Sequence, residues 1–146
     1  MSQEARQALV DSPNTFFTAD SQRSDLLDET ITQTGLIALL SDLVAKGHII
    51  EFTAIKTDHS DDSALGLHCH FNGYCADLWP LRSRTAGDWI VADNLGPFCA
   101  NAAADPCLFQ IGLAGTAWTP KAIAAAGPTC FHDDGADHIH LGAVNP

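Results

Sequence analysis

The rhythm of apolar and polar positions changes several times along the chain. Over residues 31–47, Leu36, Leu39, Leu40, Leu43 and Val44 recur at spacings of three and four. That spacing predicts a helix with a single apolar stripe. Gly47, directly after Lys46, suits the C-terminal cap of that helix. From His48 to Lys56 the pattern turns β-branched and partly alternating, which predicts a strand. Tyr74 to Leu78 predicts a second strand, ended by Trp79-Pro80 because proline offers no ladder donor. Leu108 to Leu113 predicts a third strand, and His138 to Leu141 a last short one.

The remaining stretches carry weaker patterns. Residues 1–30 are rich in Ser, Asp, Gln and Thr, with one apolar spot at Phe16-Phe17. They are expected to form an irregular or short-helical lead-in packed on the domain. Thr57 to Ser63 is a polar, Asp-rich loop. Gly87, Gly96 and Pro97 punctuate residues 81–105, where Ala100 to Ala104 suggest a helical turn. Ala117 to Ala126 stays open between helix and loop, with Pro120 restricting where a helix can start, and Gly127-Pro128 reads as a turn. No repeat and no linker interrupts the chain, so residues 1–146 are expected to form one α+β domain.

Composition narrows the function classes. The chain of 146 residues is long enough for one real core, and 46% hydrophobic against 17% charged residues fits a folded domain. A formal net charge of −11 argues against sequence-independent binding to nucleic acid or to an anionic membrane surface. No basic segment followed by an apolar run opens the chain, and no apolar run approaches the length of a membrane span, so neither a signal peptide nor a transmembrane helix is expected. The protein is therefore expected to be cytoplasmic as synthesised. Cys69, Cys75, Cys99, Cys107 and Cys130 are odd in number, so at least one is unpaired within the chain. With no CxxC and no export signal, reduced and mostly buried thiols are the expectation, and a Cys99–Cys107 bridge is not favoured.

Two clusters carry candidate chemistry. The first is Gly66-Leu67-His68-Cys69-His70-Phe71-Asn72-Gly73-Tyr74-Cys75-Ala76-Asp77-Leu78-Trp79-Pro80. The second is Asp133-Asp134-Gly135-Ala136-Asp137-His138-Ile139-His140-Leu141-Gly142. Catalytic zinc takes three protein ligands, commonly two His and a carboxylate, and leaves a fourth position open. His70 and Asp77 can supply two ligands from a loop and the strand it enters, and His140 the third from a separate strand. His138 lies two residues before His140, on the same strand face. Asp137 would face away in an ideal strand and turn inward at a strand's start.

A His seven residues before an Asp is by itself expected by chance. The surrounding pattern is sharper. His70-x-x-Gly73-x-Cys75-x-Asp77-Leu78 resembles the His-x-x-Gly-x-Ala-x-Asp-hydrophobic signature of the D-alanyl-D-alanine metallopeptidases. Asp137-His138-Ile139-His140 resembles their second motif, which ends in the third zinc ligand. These enzymes share a fold with the hedgehog signalling domain and with phage endolysin peptidases, and the resemblance covers roughly residues 48–142. It implies a helix-covered antiparallel sheet with zinc on the other face. It also implies His70, Asp77 and His140 as zinc ligands and an acid/base residue at Asp137 or His138. Where the family usually has an Arg before the first motif, Ile55-Lys56-Thr57 stands here, so Lys56 takes the role of stabilising an oxyanion or substrate carboxylate. Small Ala is usual where Cys75 stands, and His68 has no counterpart.

The functional expectation is a zinc peptidase acting on peptidoglycan peptides, of D-Ala-D-Ala carboxypeptidase or endolysin type, and a phage or prophage product. A non-catalytic zinc-binding module of the same fold, as in a phage structural component, is the alternative. A cytosolic amidohydrolase on a small non-wall substrate is a third. Around the site, Asp133-Asp134 reads as a solvated turn, and His48, His59 and His132 as exposed or backbone-satisfied. Trp79, Trp89 and Trp118 read as core or pocket wall. Cys69 is expected to point away from His70 if the segment is extended.

Overall fold

A computed structural model describes residues 1–59, 69–81, 92–113, 131–132 and 139–144. In chain order the elements are α1 (Gln3–Val10), β1 (Thr15–Phe17), α2 (Asp20–Leu27), α3 (Thr34–Ala45), β2 (Ile49–Ala54), β3 (Cys75–Leu81), α4 (Ala92–Ala103), β4 (Leu108–Leu113), β5 (Phe131–His132) and β6 (Ile139–Ala143). The strands form one mixed sheet in the order β1-β2-β3-β6-β4-β5. Its centre is antiparallel, but β1 runs parallel to β2 and β4 parallel to β5. The fold is therefore α+β as expected, and the expectation of a purely antiparallel sheet is corrected at both edges. Each parallel edge pair is joined through intervening chain, helical between β1 and β2, as parallel pairing requires.

Alternation along the strands sorts the two faces of the sheet. Ile50 and Phe52 of β2, Ala76 and Leu78 of β3, Ile111 of β4, and Ile139 and Leu141 of β6 are all buried, with Phe52, Leu78 and Ile139 in one register row and Ala76, Leu141 and Ile111 in another. They share a core with Leu36, Ile37, Leu39, Leu40 and Leu43 of α3 and Phe98, Cys99 and Ala102 of α4. Burying a side chain of this size contributes about 1.5–3 kcal/mol, so the register is strongly specified. The alternate residues Cys75, Asp77 and His140 point to the opposite face.

Helix α3 ends where the apolar stripe ends. Gly47 has φ +91°, and the amides of Gly47 and His48 donate to Val44 O and Leu43 O, the paired bonds of a Schellman cap. Two expectations are corrected. Strand β3 does not stop at Trp79-Pro80 but runs to Leu81, with Pro80 opposite Ile50. Described pairing with β6 stops at Leu78, so the N–H missing from Pro80 interrupts no bond on that side. Gly96 and Pro97 do not end a segment but lie inside α4, where Pro97 is exposed and the buried stripe of Phe98, Cys99 and Ala102 prevails.

The amino-terminal stretch is more ordered than its composition suggests. Helices α1 and α2 place Leu9, Val10 and Leu26 in the core and are also tied by a buried polar group. The Arg6 guanidinium donates to Leu26 O at 2.8 Å, to Thr32 Oγ1 at 2.7 Å and to Thr32 O at 2.7 Å. Residues 117–126 and the Gly127-Pro128 turn lie outside the described residues.

Candidate metal centre

Asp77 of β3 and His140 of β6 stand directly opposite one another in the ladder. Opposed residues of an antiparallel pair share a face with their side chains about 5 Å apart at Cβ. His140 Nδ1 accordingly lies 3.1 Å from Asp77 Oδ1. His70 arrives from outside the sheet, on the turn over residues 69–73 that leads into β3. Its Nε2 lies 3.3 Å from Asp77 Oδ1 and 3.2 Å from His140 Nδ1. Three donor atoms from two strands and one turn thus converge on one point. His70, Asp77 and His140 are only 2%, 4% and 4% exposed, which shields that point from competing water.

The turn is shaped to deliver His70. Gly73 has φ +77°, and a Cβ there would stand 1.9 Å from Ile31 O, so no larger residue fits without moving backbone. Gly73 O in turn accepts from Gln33 N at 2.9 Å. A disulfide joins Cys69 to Cys75 across the same turn. This corrects the expectation of reduced thiols for that pair, whereas Cys99 and Cys107 are free and buried. Burial pushes the Cys99 thiol up to about 12, so it stays protonated and inert. The segment around Cys69 is a turn and not extended, so Cys69 does not point away: its Sγ lies 3.5 Å from His140 Nε2. Cys130 lies outside the described residues.

A second segment orients the cluster. Opposite Asp77, strand β2 carries an irregularity between Phe52 and Ala54, where Thr53 is the extra residue. Such a bulge turns the chain. The loop that follows is clamped by α2: buried Asp25 accepts from Lys56 N at 3.0 Å, Thr57 N at 2.8 Å and Thr57 Oγ1 at 2.6 Å. Gln22 Nε2 donates to Asp58 Oδ2 at 2.7 Å. So held, Ile55 O accepts from His70 Nδ1 at 2.5 Å. A carbonyl only accepts, so Nδ1 carries a proton, and Nε2 is left to face the cluster. His59 closes the arrangement. Its ring stacks on His70 at 3.7 Å and 5° between planes, and its Nε2 lies 3.1 Å from Asp77 Oδ2.

Burial alone would push the Asp77 carboxyl up. The imidazoles of His140, His59 and His70 outweigh it and hold the group far below the usual carboxylate range. At 3.3 Å the anionic Oδ1 meets an Nε2–H when the His70 ring carries both protons, and a lone pair when the ring carries only the Nδ1 proton. Two acceptors at 3.3 Å repel unless a proton or a cation lies between them. The arrangement is suited to hold a metal ion. His59, His70 and Asp77 form one set of donor atoms with that capacity, and Cys69, His70 and His140 another.

Of the residues expected from sequence, the structure brings His70, Asp77 and His140 together. Lys56 is half-buried at the rim, its Nζ 5.3 Å from the ring centre of exposed Phe71. Asp137, His138, His68 and the Asp133-Asp134 pair lie outside the described residues. His59 was expected to be exposed or backbone-satisfied and is instead part of the cluster. No periodicity relates it to His70, since a bulge and the clamp from α2 place it. His48, expected to be exposed or backbone-satisfied, is instead half-buried and held by a side chain: Asn101 Nδ2 donates to its Nε2 at 2.7 Å. Among the described residues no helix is long and apolar enough to cross a membrane. Compared with known proteins, the chain matches no family model, no curated protein and no solved structure.

Proposed function

We propose that the protein is a zinc-dependent peptidase of the D-Ala-D-Ala carboxypeptidase or endolysin type, cutting peptide bonds of cell-wall peptides as a phage or prophage product. In this reading the α+β fold is of the hedgehog and D-Ala-D-Ala-peptidase kind, with helices on one sheet face and zinc on the other. One observation carries it. A tetrahedral metal with bonds of about 2.0–2.1 Å spaces its ligands about 3.3 Å apart. The edges of the triangle formed by His70 Nε2, Asp77 Oδ1 and His140 Nδ1 measure 3.2, 3.3 and 3.1 Å. Two imidazoles and one carboxylate are also the donor set suited to zinc, and the Nδ1–H of His70 on Ile55 O is the outer hydrogen bond that ligating histidines make.

Zinc bound there supplies a Lewis acid that polarises a scissile carbonyl and acidifies water. The chain's own groups do the rest. His70, Asp77 and His140 would hold the zinc, and three protein ligands would leave it accessible to substrate. Asp137 takes a proton from the attacking water and delivers it to the leaving amine. His138, two residues before His140, donates to the negative charge that develops on the carbonyl oxygen. Lys56, next to the carbonyl that holds His70, supplies a positive charge for the oxyanion or the substrate carboxylate.

The test is metal analysis of purified protein together with digestion of muropeptides and of D-Ala-D-Ala dipeptide. One equivalent of zinc and hydrolysis are expected. Asp137→Asn should lower turnover by on the order of 10²–10⁴ with zinc retained, and His138→Ala by on the order of 10–10³. The reverse ranking would make His138 the base. The near-complete burial of the three ligands favours a second reading, a non-catalytic zinc module, since structural sites are closed. Zinc bound with no hydrolysis of any such substrate would establish that reading instead.

A further inference from the structure

The disulfide lies beside the proposed site, against the His140 ring. Cys69 precedes His70 directly, and Cys75 precedes Asp77 by two residues in β3, so the bridge ties together the two segments that carry proposed ligands. Its Cys69 sulfur lies 3.5 Å from His140 Nε2, the ring nitrogen other than the Nδ1 that faces Asp77, and Cys69, His70 and His140 offer donor atoms within 4.8 Å of one another, so a freed Cys69 side chain has to rotate to join the metal. In the bridge that sulfur is a poor donor. As a thiolate it is among the strongest zinc ligands a protein offers. The bridge is also reachable. Cys69 and Cys75 line a cleft of about 310 Å³ bordered by Asn72, Tyr74, Phe109 and Val144, of which Phe109 and Val144 are exposed.

We propose that Cys69–Cys75 is a redox switch on the metal centre: reduction delivers Cys69 as an additional, soft ligand and closes the coordination position that the oxidised protein keeps for substrate. The inference rests on the metal site proposed above. Its chemistry balances. A dithiol reductant attacks the bridge, its two sulfurs join as a disulfide, and its two protons and two electrons leave Cys69 and Cys75 as thiols. When Cys69 engages the metal, the thiol releases its proton to solvent and one metal–sulfur bond forms. Catalytic zinc sites keep an open position and structural sites do not, so one site passes between the two classes. The oxidised form works where disulfides persist, outside the reducing cytosol, and the reduced form made in the cytosol holds metal without turnover. A peptidase of cell-wall bonds would thereby be silent before it reaches the wall.

Cobalt(II) in place of zinc reports the switch, because thiolate ligation adds an intense near-ultraviolet charge-transfer band that nitrogen and oxygen ligands lack. Oxidised wild-type protein should bind one cobalt without that band. Reduction with a trialkylphosphine, which consumes water and becomes its oxide, should bring the band up and abolish hydrolysis. Cys75→Ser, which leaves Cys69 unbridged, should show the band with no reductant, whereas reduced Cys69→Ser should bind cobalt without it. Cobalt bound by folded, reduced wild-type and Cys75→Ser proteins with no thiolate band overturns the switch and leaves the His70, Asp77 and His140 site standing. No cobalt bound by the oxidised protein overturns the site itself, and the switch with it. The phosphine experiment needs no substitution, and circular dichroism identifies any variant that fails to fold.

Discussion

Two of the proposed ligands come from strands and one from a turn, and the two deliveries work differently. Asp77 and His140 are placed by the ladder between β3 and β6. The same pairing aligns Ala76 with Leu141 and Leu78 with Ile139 on the core face, so a slip of one residue would bury the site residues and expose the core. Packing thus holds the geometry at no separate cost. His70 has no ladder. It is positioned by Ile55 O, by the stacked ring of His59, by Gly73 wedged beneath Ile31 and by the Cys69–Cys75 bridge. A strand residue takes its position from a repeating pattern. A turn residue takes it from ties scattered over distant parts of the chain.

The largest effect should not distinguish the two. His70→Ala and His140→Ala should each weaken zinc binding by on the order of 10³-fold, taking a third of the roughly 10–16 kcal/mol of a three-ligand site. Equilibrium competition with a chelator measures it, and full retention in both variants would sink the ligand set.

Glycine substitutions should separate the turn from the rest of the fold. Gly73→Ala should cost about 3–5 kcal/mol by chemical denaturation and weaken zinc binding, because its Cβ meets backbone as well as a positive φ. Gly47→Ala, at φ +91° with nothing within 4 Å, should cost about 1–2 kcal/mol and leave zinc affinity unchanged. Equal costs would mean that the contact with Ile31 is not what shapes the turn.

Removing the metal sharpens the contrast further. Zinc at 100 times its Kd adds about 2.7 kcal/mol to the folded state. EDTA should therefore lower the melting temperature. The accompanying loss of hydrogen-exchange protection should concentrate in residues 55–59 and 69–73 and spare the β3–β6 ladder. Uniform loss would contradict the distinction between ladder and turn.

A smaller effect tests the clamp. Asp25→Ala removes the buried acceptor of the part-buried amides of Lys56 and Thr57 and should cost about 1–2 kcal/mol. Through Ile55 O and His59 it should also weaken zinc by roughly 10–100-fold, the range for an outer-shell partner. An exposed pair such as Arg23–Asp11 should change stability by less than about 1 kcal/mol when Arg23 is replaced by Ala, with no effect on metal.

The same contrast accounts for what could be read from sequence. Strand-borne Asp77 and His140 sit in alternating segments, and helix α3 shows its period over twelve residues, so both were legible. His70 was legible through its fixed distance from Gly73 and Asp77. His59 was not, because its position depends on the extra Thr53 in β2 and on Asp25 thirty or so residues earlier, and neither leaves a local period. Helices α1 and α2 went unpredicted as full elements for a related reason. Only Leu9, Val10 and Leu26 bury apolar side chains there, too few to show a stripe, and the buried polar Arg6 and Asp25 supply further ties. The Cys69–Cys75 pairing was hidden by an odd cysteine count that favours no partner.

The sequence separations within the ladder carry a consequence for the order of assembly. His70 and Asp77 are near neighbours in the chain, whereas Asp77 meets His140 across 63 residues. Closing so long a loop is slow relative to forming a turn, and non-local pairing sets the pace of folding. During synthesis the first two donors emerge well before the third exists. At the proposed site a nascent chain would therefore offer an ion only a weak two-point grip, and capture would become firm when β6 docks between β3 and β4. At the proposed site, metal occupancy would then record the completion of folding, and an ion released from the mature protein would leave behind a sheet already paired.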